Sequence, residues 1–434
     1  MTRTGPKRYW ATGATLAVLA VAICAVGQAG AALLSALFPE GVPGFDAAPG
    51  VTVLSRARPA FDPLGLRAGA FTLWPELSES IGYDDNVLAG TRHRPSWTIA
   101  TQPSLRLNSD WSRNSFAADV SGSDTSYPEL PAQGRTDVTA SAGGTIDIGQ
   151  DRLTLGAAHV VQHESRSQLD AVASDRPIAV TVDDARAAYA VASGRWTVTP
   201  AVEASTWRYG NTTILGMPAS QAYRDRDVVA GGTTVRYDWG PLRSLLLVMR
   251  ATGQRYTDQP RGQLSEDSIG YQAMVGFDYD ADAVWRYRVL LGGETRQFTA
   301  FHPHTDLIAE AEATWSPSGL TTVRGTLTRS IEDAAQQGVS GFTYTAARFT
   351  IDHEYLRNVL LSASAGLQRA DFLQGGGSQN GYLAGAGVTW LLNRSVRLSA
   401  TYNLTGVAGA HTGATIVSGD FTRQLTLLTL RLGW

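Results

Sequence analysis

From Phe71 to Trp434 one unit repeats: a stretch in which apolar and polar residues alternate, then a break. Side chains along a strand point alternately to opposite faces, so a period of two marks an element with one greasy and one wet face. The breaks alternate between short and long. The short ones are Asp110–Asn114, Gly149–Asp151, Ser193–Gly194, Trp239–Leu242, Ala281–Ala283, Pro317–Gly319, Tyr355–Leu356 and Asn393–Arg394. They are rich in Asn, Asp, Gly and Pro, which supply the backbone angles of tight turns. The long, polar ones include Asp84–Ser96, Glu164–Pro177, Tyr209–Ala219, Thr257–Ser265, Asp333–Ser340 and Ala408–Val417. Strands of about ten residues, tight turns at one rim and long loops at the other describe a transmembrane β-barrel. The expected fold is all-β: a single antiparallel up-and-down barrel of about eighteen strands, its short turns on the periplasmic side.

Two segments show the faces plainly. Trp285, Tyr287, Val289 and Leu291 alternate with Arg286, Arg288 and Leu290. Val396, Leu398, Ala400, Tyr402 and Leu404 alternate with Arg397, Ser399, Thr401 and Asn403. The first set of each would face lipid and the second the lumen. Tyr83, Trp97, Trp196, Tyr237, Trp285, Trp315, Trp390 and Trp434 fall near strand ends, where an interfacial aromatic girdle belongs. The last strand alternates through Leu428, Leu430 and Leu432 to a terminal aromatic, Trp434, the ending expected of a signal for membrane assembly.

Composition alone would suggest a soluble protein, with 43% hydrophobic and 17% charged residues and a mean hydropathy of −0.11. A barrel hides its pattern in such averages, because every second residue faces water. A soluble β-sandwich is the alternative, but sandwiches seldom run to so many evenly spaced strands. Beyond the first 40 residues no apolar run is long enough for a spanning helix.

Residues 1–31 read as a secretory leader, with a basic start (Arg3, Lys7, Arg8), an apolar stretch from Ala14 to Val26 and small residues at Ala29 and Ala31. The only cysteine, Cys24, lies within it behind Ile23, which is too large for a lipid-anchor site. A mature chain without cysteine has no disulfide, thiolate metal site or cysteine nucleophile. Losing the leader takes three of the 36 basic residues and leaves 33 against 39 acidic ones, a net charge of about −6, with nothing to attract nucleic acid. Every basic residue after Lys7 is arginine, whose planar fork favours fixed carboxylate pairs. Residues 32–67, rich in Pro and Gly, read as a periplasmic arm, and 68–434 as the barrel.

Four stretches are similar to the family called putative β-barrel porin 2, of bacterial outer-membrane proteins. The first runs Phe61-Asp62-Pro63-Leu64-Gly65-Leu66-Arg67-Ala68-Gly69-Ala70-Phe71, with Pro75 and then Tyr83-Asp84-Asp85-Asn86. The second is Ser330-Ile331-Glu332-Asp333 with Gly338, Ser340 and Gly341. The third is Asp352-His353-Glu354-Tyr355-Leu356-Arg357-Asn358, and the fourth Leu391-Leu392-Asn393-Arg394. Tyr355 stands where a leucine is usual, and Val87-Leu88 replace an Ile-Phe pair; neither touches the fold. The resemblance brackets the mature chain and implies an outer-membrane barrel with no assigned chemistry. Members often sit beside surface-polysaccharide export machinery.

Candidate function lies in the lumen. Alternation turns Arg106, Arg226, Arg236, Arg250, Arg286, Arg288, Arg296, Arg324, Arg348 and Arg397 inward, with Asp119, Asp137, Glu203, Glu294, Glu310 and Glu312 on the same face. Opposed rows of arginine and carboxylate set a field across a pore, and charged rings select permeating ions or sugars. The same pairs would also brace a barrel wall without any substrate. Arg286, Arg288 and Arg296 with Glu294, Glu310 and Glu312 form the first candidate constriction.

No catalytic, metal or cofactor site is expected. Asp352, His353 and Glu354 are neighbours on a strand and cannot converge on one ion. They fit a turn-stabilising role at the periplasmic rim. His159 and His163 are about 13 Å apart, and His302 with His304 would make a two-ligand site at most. The Phe61–Phe71 stretch is open to three readings: a plug, a docking segment or a lead-in to the first strand. The expected function is passive diffusion of small hydrophilic solutes through the outer membrane of a Gram-negative bacterium. The alternatives are export of an exopolysaccharide or capsular polysaccharide with a periplasmic partner, or a closed structural barrel. Expected partners are outer-membrane lipid, lipopolysaccharide and the barrel-assembly machinery.

Overall fold

The computed structural model describes residues 42–44, 52–258, 264–280, 284–373, 377–411 and 420–434. The expected leader with Cys24, the Ala281–Ala283 turn and parts of the Thr257–Ser265 and Ala408–Val417 loops lie outside the described residues.

Period-two polarity becomes strand throughout. The barrel staves are β1 (Phe71–Asp84), β2 (Ser96–Ser109), β3 (Ser115–Ser126), β4 (Arg135–Ile148), β5 (Asp151–His163), β6 (Ala179–Ser193), β7 (Trp196–Tyr209), β8 (Arg226–Gly240) and β9 (Arg243–Tyr256). They continue with β10 (Ser268–Tyr279), β11 (Trp285–Phe298), β12 (His304–Ser318), β13 (Thr321–Glu332), β14 (Phe342–Leu356), β15 (Val359–Phe372), β16 (Gly377–Leu391), β17 (Val396–His411) and β18 (Phe421–Gly433). The main sheet has nineteen strands; setting aside the three-residue lead-in Leu66–Ala68 leaves eighteen. Each stave pairs antiparallel with its neighbours, and β18 pairs with β1 from Leu425–Asp84 to Gly433–Glu76. That last ladder closes the cylinder, so the main sheet has no terminal edge strand.

Among the described residues the tight turns fall at one rim. Gly149 (φ +67°) and Gly194 (φ +62°) adopt the left-handed angles of two-residue hairpins, which cost a residue without a β-carbon nothing. Two turns sit slightly later than the sequence suggests. The β14–β15 turn is at Arg357–Asn358 because the register shifts at Tyr355, so Leu356 still pairs with Val359. The β12–β13 turn is at Gly319–Leu320, after a register shift beyond Trp315. Pro103 and Pro200 have no N–H to give, and the β2–β3 and β6–β7 ladders are interrupted beside them.

The outer face carries the large apolar side chains. Leu155, Val202, Val229, Val275, Phe349 and Leu367 are all exposed there. The aromatic residues pair across strands near the rims: Trp196 with Tyr237 (4.6 Å between centroids) and Trp285 with Trp315 (5.5 Å) at the periplasmic side, Tyr83 with Trp97 (5.7 Å) at the other. Leu428, Leu430 and Trp434 are exposed on the same lipid-facing surface. The inner face is mainly polar, with apolar islands such as the one on β9–β12 formed by Leu246, Met274, Leu290 and Ile308.

Candidate functional site

Much of the lumen is filled from its two ends. From the periplasmic end it holds the N-terminal arm, whose described residues lie against the inner wall. Val53 N donates to Thr322 Oγ1 (3.0 Å), and Val53 packs on Leu360 and Leu391. Arg56 and Arg58 both meet Glu354, Arg58 at 3.0 Å. Arg394 Nε donates to the Pro59 carbonyl (3.0 Å), and Arg397 pairs with Asp62 (3.1 Å). Further along, Val42 is fully buried among Ala158, Val160, Val180, Val182 and Trp207, inward residues of β5–β7. The arm backbone touches the wall there: a β-carbon at Gly143 would lie 1.8 Å from the Pro43 carbonyl oxygen, and one at Gly44 3.0 Å from Gly156 Cα. Glu354 thus anchors the arm, while His353 points the other way and bonds Thr321 (2.9 Å).

At the opposite end, the 164–178, 210–225 and 333–341 loops fold inward. The 164–178 loop leaves β5 and reaches β14–β18, nearly half the barrel away. Its Leu169 packs with Ala89, Ala334, Phe342, Tyr344, Ala370, Phe372, Val407 and Phe421. Asp170 N donates to Gln379 Oε1 on β16 (2.7 Å), and Arg423, which forks onto Asp84, also donates to Ser167 (2.8 Å). The buried Asp170 carboxylate accepts from Ala335 N and from Gln336 Nε2 (3.0 Å), tying this loop to the 333–341 loop. Burial pushes Asp170 up to about 7, against those hydrogen bonds and the Arg224 charge. Burial works against the charge of Arg224 too, but its bidentate pair with Glu164 (2.5 and 2.9 Å) prevails and holds the guanidinium above its ordinary value. Tyr223 OH donates to the Ala335 carbonyl (2.6 Å), so the 210–225 loop joins the same knot.

Between arm and loops, on the β7–β13 side, a cavity of about 390 Å³ remains. Arg226 and Arg296 meet across it on Asp333, Arg226 at 3.2 Å, and Arg296 also donates to Gln254 (2.5 Å) and Ser268 (3.0 Å). Burial would raise Asp333, yet the two guanidinium groups hold it below the usual carboxylate range. Glu266, next to it, is pushed up to about 7 by burial and then by the Asp333 charge. Arg250 pairs with Glu203 at 3.2 Å. Glu310 and Glu312 also line the cavity but make no ion pair or hydrogen bond among the described residues. Its arginines are therefore committed, whereas Glu310 and Glu312, like Glu294 beside Arg296, have no ion-pair partner among the described residues.

The six residues of the candidate constriction are not brought to one level. Arg286 and Arg296 are ten residues apart on β11, about 33 Å along the strand. Arg286 lies toward the periplasmic rim with Asp280 (3.8 Å), and Arg288 pairs with Asp278 (3.2 Å), as does Arg236 (3.4 Å). Glu294, Arg296, Glu310 and Glu312 do share the cavity with Arg226 and Arg250. Arg324 lies on the inner face of β13, opposite Thr350 in the β14 ladder and two residues from Thr322, which bonds the arm. Arg106 meets Asp119 (3.4 Å) on the far wall. Sequence reading did not find Asp170, Arg224, Arg423 or the arm residues Arg56 and Arg58. The Asp84 and Ser330–Asp333 stretches were signals for two of these contacts. Among the described residues no group of three or more His, Cys, Asp or Glu could hold a metal.

A family model described as "Putative beta-barrel porin 2" matches residues 58–432. Among solved structures the chain is similar to OccK2 (OpdF) of Pseudomonas aeruginosa, at 12% identity and a TM-score of 0.45, over 83% of this chain and 98% of that one. It is similar also to OccAB3 of Acinetobacter baumannii, at 10% identity and a TM-score of 0.45, over 85% and 100%. No curated protein matches the chain in sequence.

Proposed function

The chain belongs to the putative β-barrel porin 2 family, and from that premise we propose that this outer-membrane barrel is a channel for passive diffusion of small hydrophilic solutes. In this reading the path runs along β7–β13, where the arm's described residues meet only the flanks at Trp207 and Thr322, past Arg226, Arg250, Arg296, Glu294, Glu310 and Glu312. The unpaired carboxylates Glu310 and Glu312 carry the argument, because they leave the cavity with surplus negative charge and a preference for cations and neutral polar solutes. An eighteen-stranded cylinder is wide enough for water once its filling is subtracted. The arm then acts as a partial plug, held by Glu354, Arg394 and Arg397. Membrane assembly through Leu428, Leu430, Leu432 and Trp434 belongs to the same proposal.

Deleting residues 32–60 tests it in planar bilayers. Single-channel conductance should rise about twofold or more as cross-section is freed. Unchanged conductance, together with lost polysaccharide export in cells, would favour the docking role and an export barrel instead.

A further inference from the structure

The wall has a seam. The β12–β13 ladder ends at Ala309–Arg329, although β12 continues to His304 and β13 to Glu332. Both strands stay paired on their other sides, β11 with β12 up to Arg296–His304 and β13 with β14 up to Glu332–Phe342. Three expected pairs (Ile308 with Ser330, Leu307 with Ile331, Asp306 with Glu332) are therefore missing between two intact sheet edges. Side chains seal the break instead. Arg329 Nε donates to the Leu307 carbonyl (3.0 Å), its Nη2 grips Asp306 (2.9 and 3.1 Å), and its Nη1 donates to Thr345 (2.8 Å). Thr343 Oγ1 donates to the same Asp306 carboxylate (2.7 Å).

These contacts cross faces. Asp306 shares its face with the lumenal Ile308, Glu310 and Glu312, whereas Arg329 shares its face with the exposed Leu327, and Thr343 and Thr345 share theirs with the exposed Phe349 and Ile351. The upper end of β12 thus overlaps β13 rather than lying edge to edge with it. The cavity reaches this overlap, lined there by Ile308, Ala309, Arg329 and Ile331. The height is also telling. Leu307 is level with Gly293 and Ala273, one lipid-facing row below the exposed Tyr271. Unpaired backbone at that depth is costly unless it lines a passage or is capped.

We propose that the β12–β13 seam is a lateral gate, latched by Asp306 and Arg329, that connects the lumenal cavity with the outer leaflet. It would pass amphiphiles with a cationic or neutral head: the tail slides between Leu307 and Ile331, and the head is received by Glu310 and Glu312. The proposal rests on the channel reading above but adds a second route, which can be tested separately.

The test couples D306C with T343C, whose side chains now touch; the only native cysteine, Cys24, lies in the expected leader. Proteoliposomes would be given a fluorescent dodecyl probe with a quaternary ammonium head, which does not cross bilayers unaided. Oxidation should cut probe entry about tenfold and leave K+ conductance unchanged, and reduction should restore entry. Equal entry in oxidised and reduced protein overturns the gate. R329M, checked for folding by heat-modifiable gel migration, should raise entry severalfold, and unchanged entry there overturns it too. Probe entry that follows the thiol state in a protein without K+ conductance would uphold the gate and sink the aqueous channel instead.

Discussion

Gly143 shows what a single residue decides. In the sequence it is one of two adjacent glycines in a strand, where glycine weakens packing and marks a bulge or a close approach. The structure makes it a close approach, because the arm backbone at Pro43 occupies the volume of the missing side chain. Gly143→Ala should therefore dislodge the arm and keep the barrel closed, with a small local shift of the β4–β5 ladder, because the new carbon would also lie 2.9 Å from the Leu155 carbonyl oxygen. The expected outcome is heat-modifiable gel migration as in the parent, with conductance raised toward that of the 32–60 deletion. Parental conductance would mean that the arm does not narrow the path. Alternation could assign a face to Arg226 and Arg296, but not their shared partner. Asp333 lies more than thirty residues from either in the chain and arrives on a loop, where no period constrains it.

Among the elements, staves were the most legible. Each needs only a period of two and a turn, and the closing β18–β1 ladder follows once the count is even. The loops were legible as loops, but their inward fold was not, since it depends on tertiary contacts such as Leu169 against Phe342 and Phe372. That fold brings a pH dependence. Asp170 is raised to about 7 by burial, so the seated loop favours the protonated acid. Its contribution is fully present below the ordinary carboxylate range and is lost as pH rises through about 7. Glu164 on the same loop and Arg224 on the 210–225 loop act on it, and Glu266 shifts in the same direction. Conductance should accordingly be smaller at pH 5 than at pH 8.5, with the step abolished in Asp170→Asn. Identical conductance at both values would show that the loop stays seated whatever its charge.

At the scale of the whole molecule, the question is which charges remain unspent. Nearly every lumenal arginine has a carboxylate: Arg106 has Asp119, Arg186 has Asp184, Arg250 has Glu203, and Arg288 has Asp278. Such pairs brace the wall and largely cancel as seen by a passing ion. Glu310 and Glu312 are not cancelled, so they should dominate selectivity although they are two charges among many. Bilayers under a KCl gradient should give a reversal potential on the cation side. Glu310→Gln with Glu312→Gln should lower the K+/Cl− permeability ratio at least about twofold, an effect that shrinks above 1 M salt, where the screening length falls to about 3 Å. Arg286→Glu with Arg288→Glu should change the ratio less, because those positions lie toward the periplasmic rim, away from the cavity. If the arginine pair proves the stronger determinant, the narrowest point lies at the periplasmic rim, and the cavity along β7–β13 is a vestibule rather than the filter.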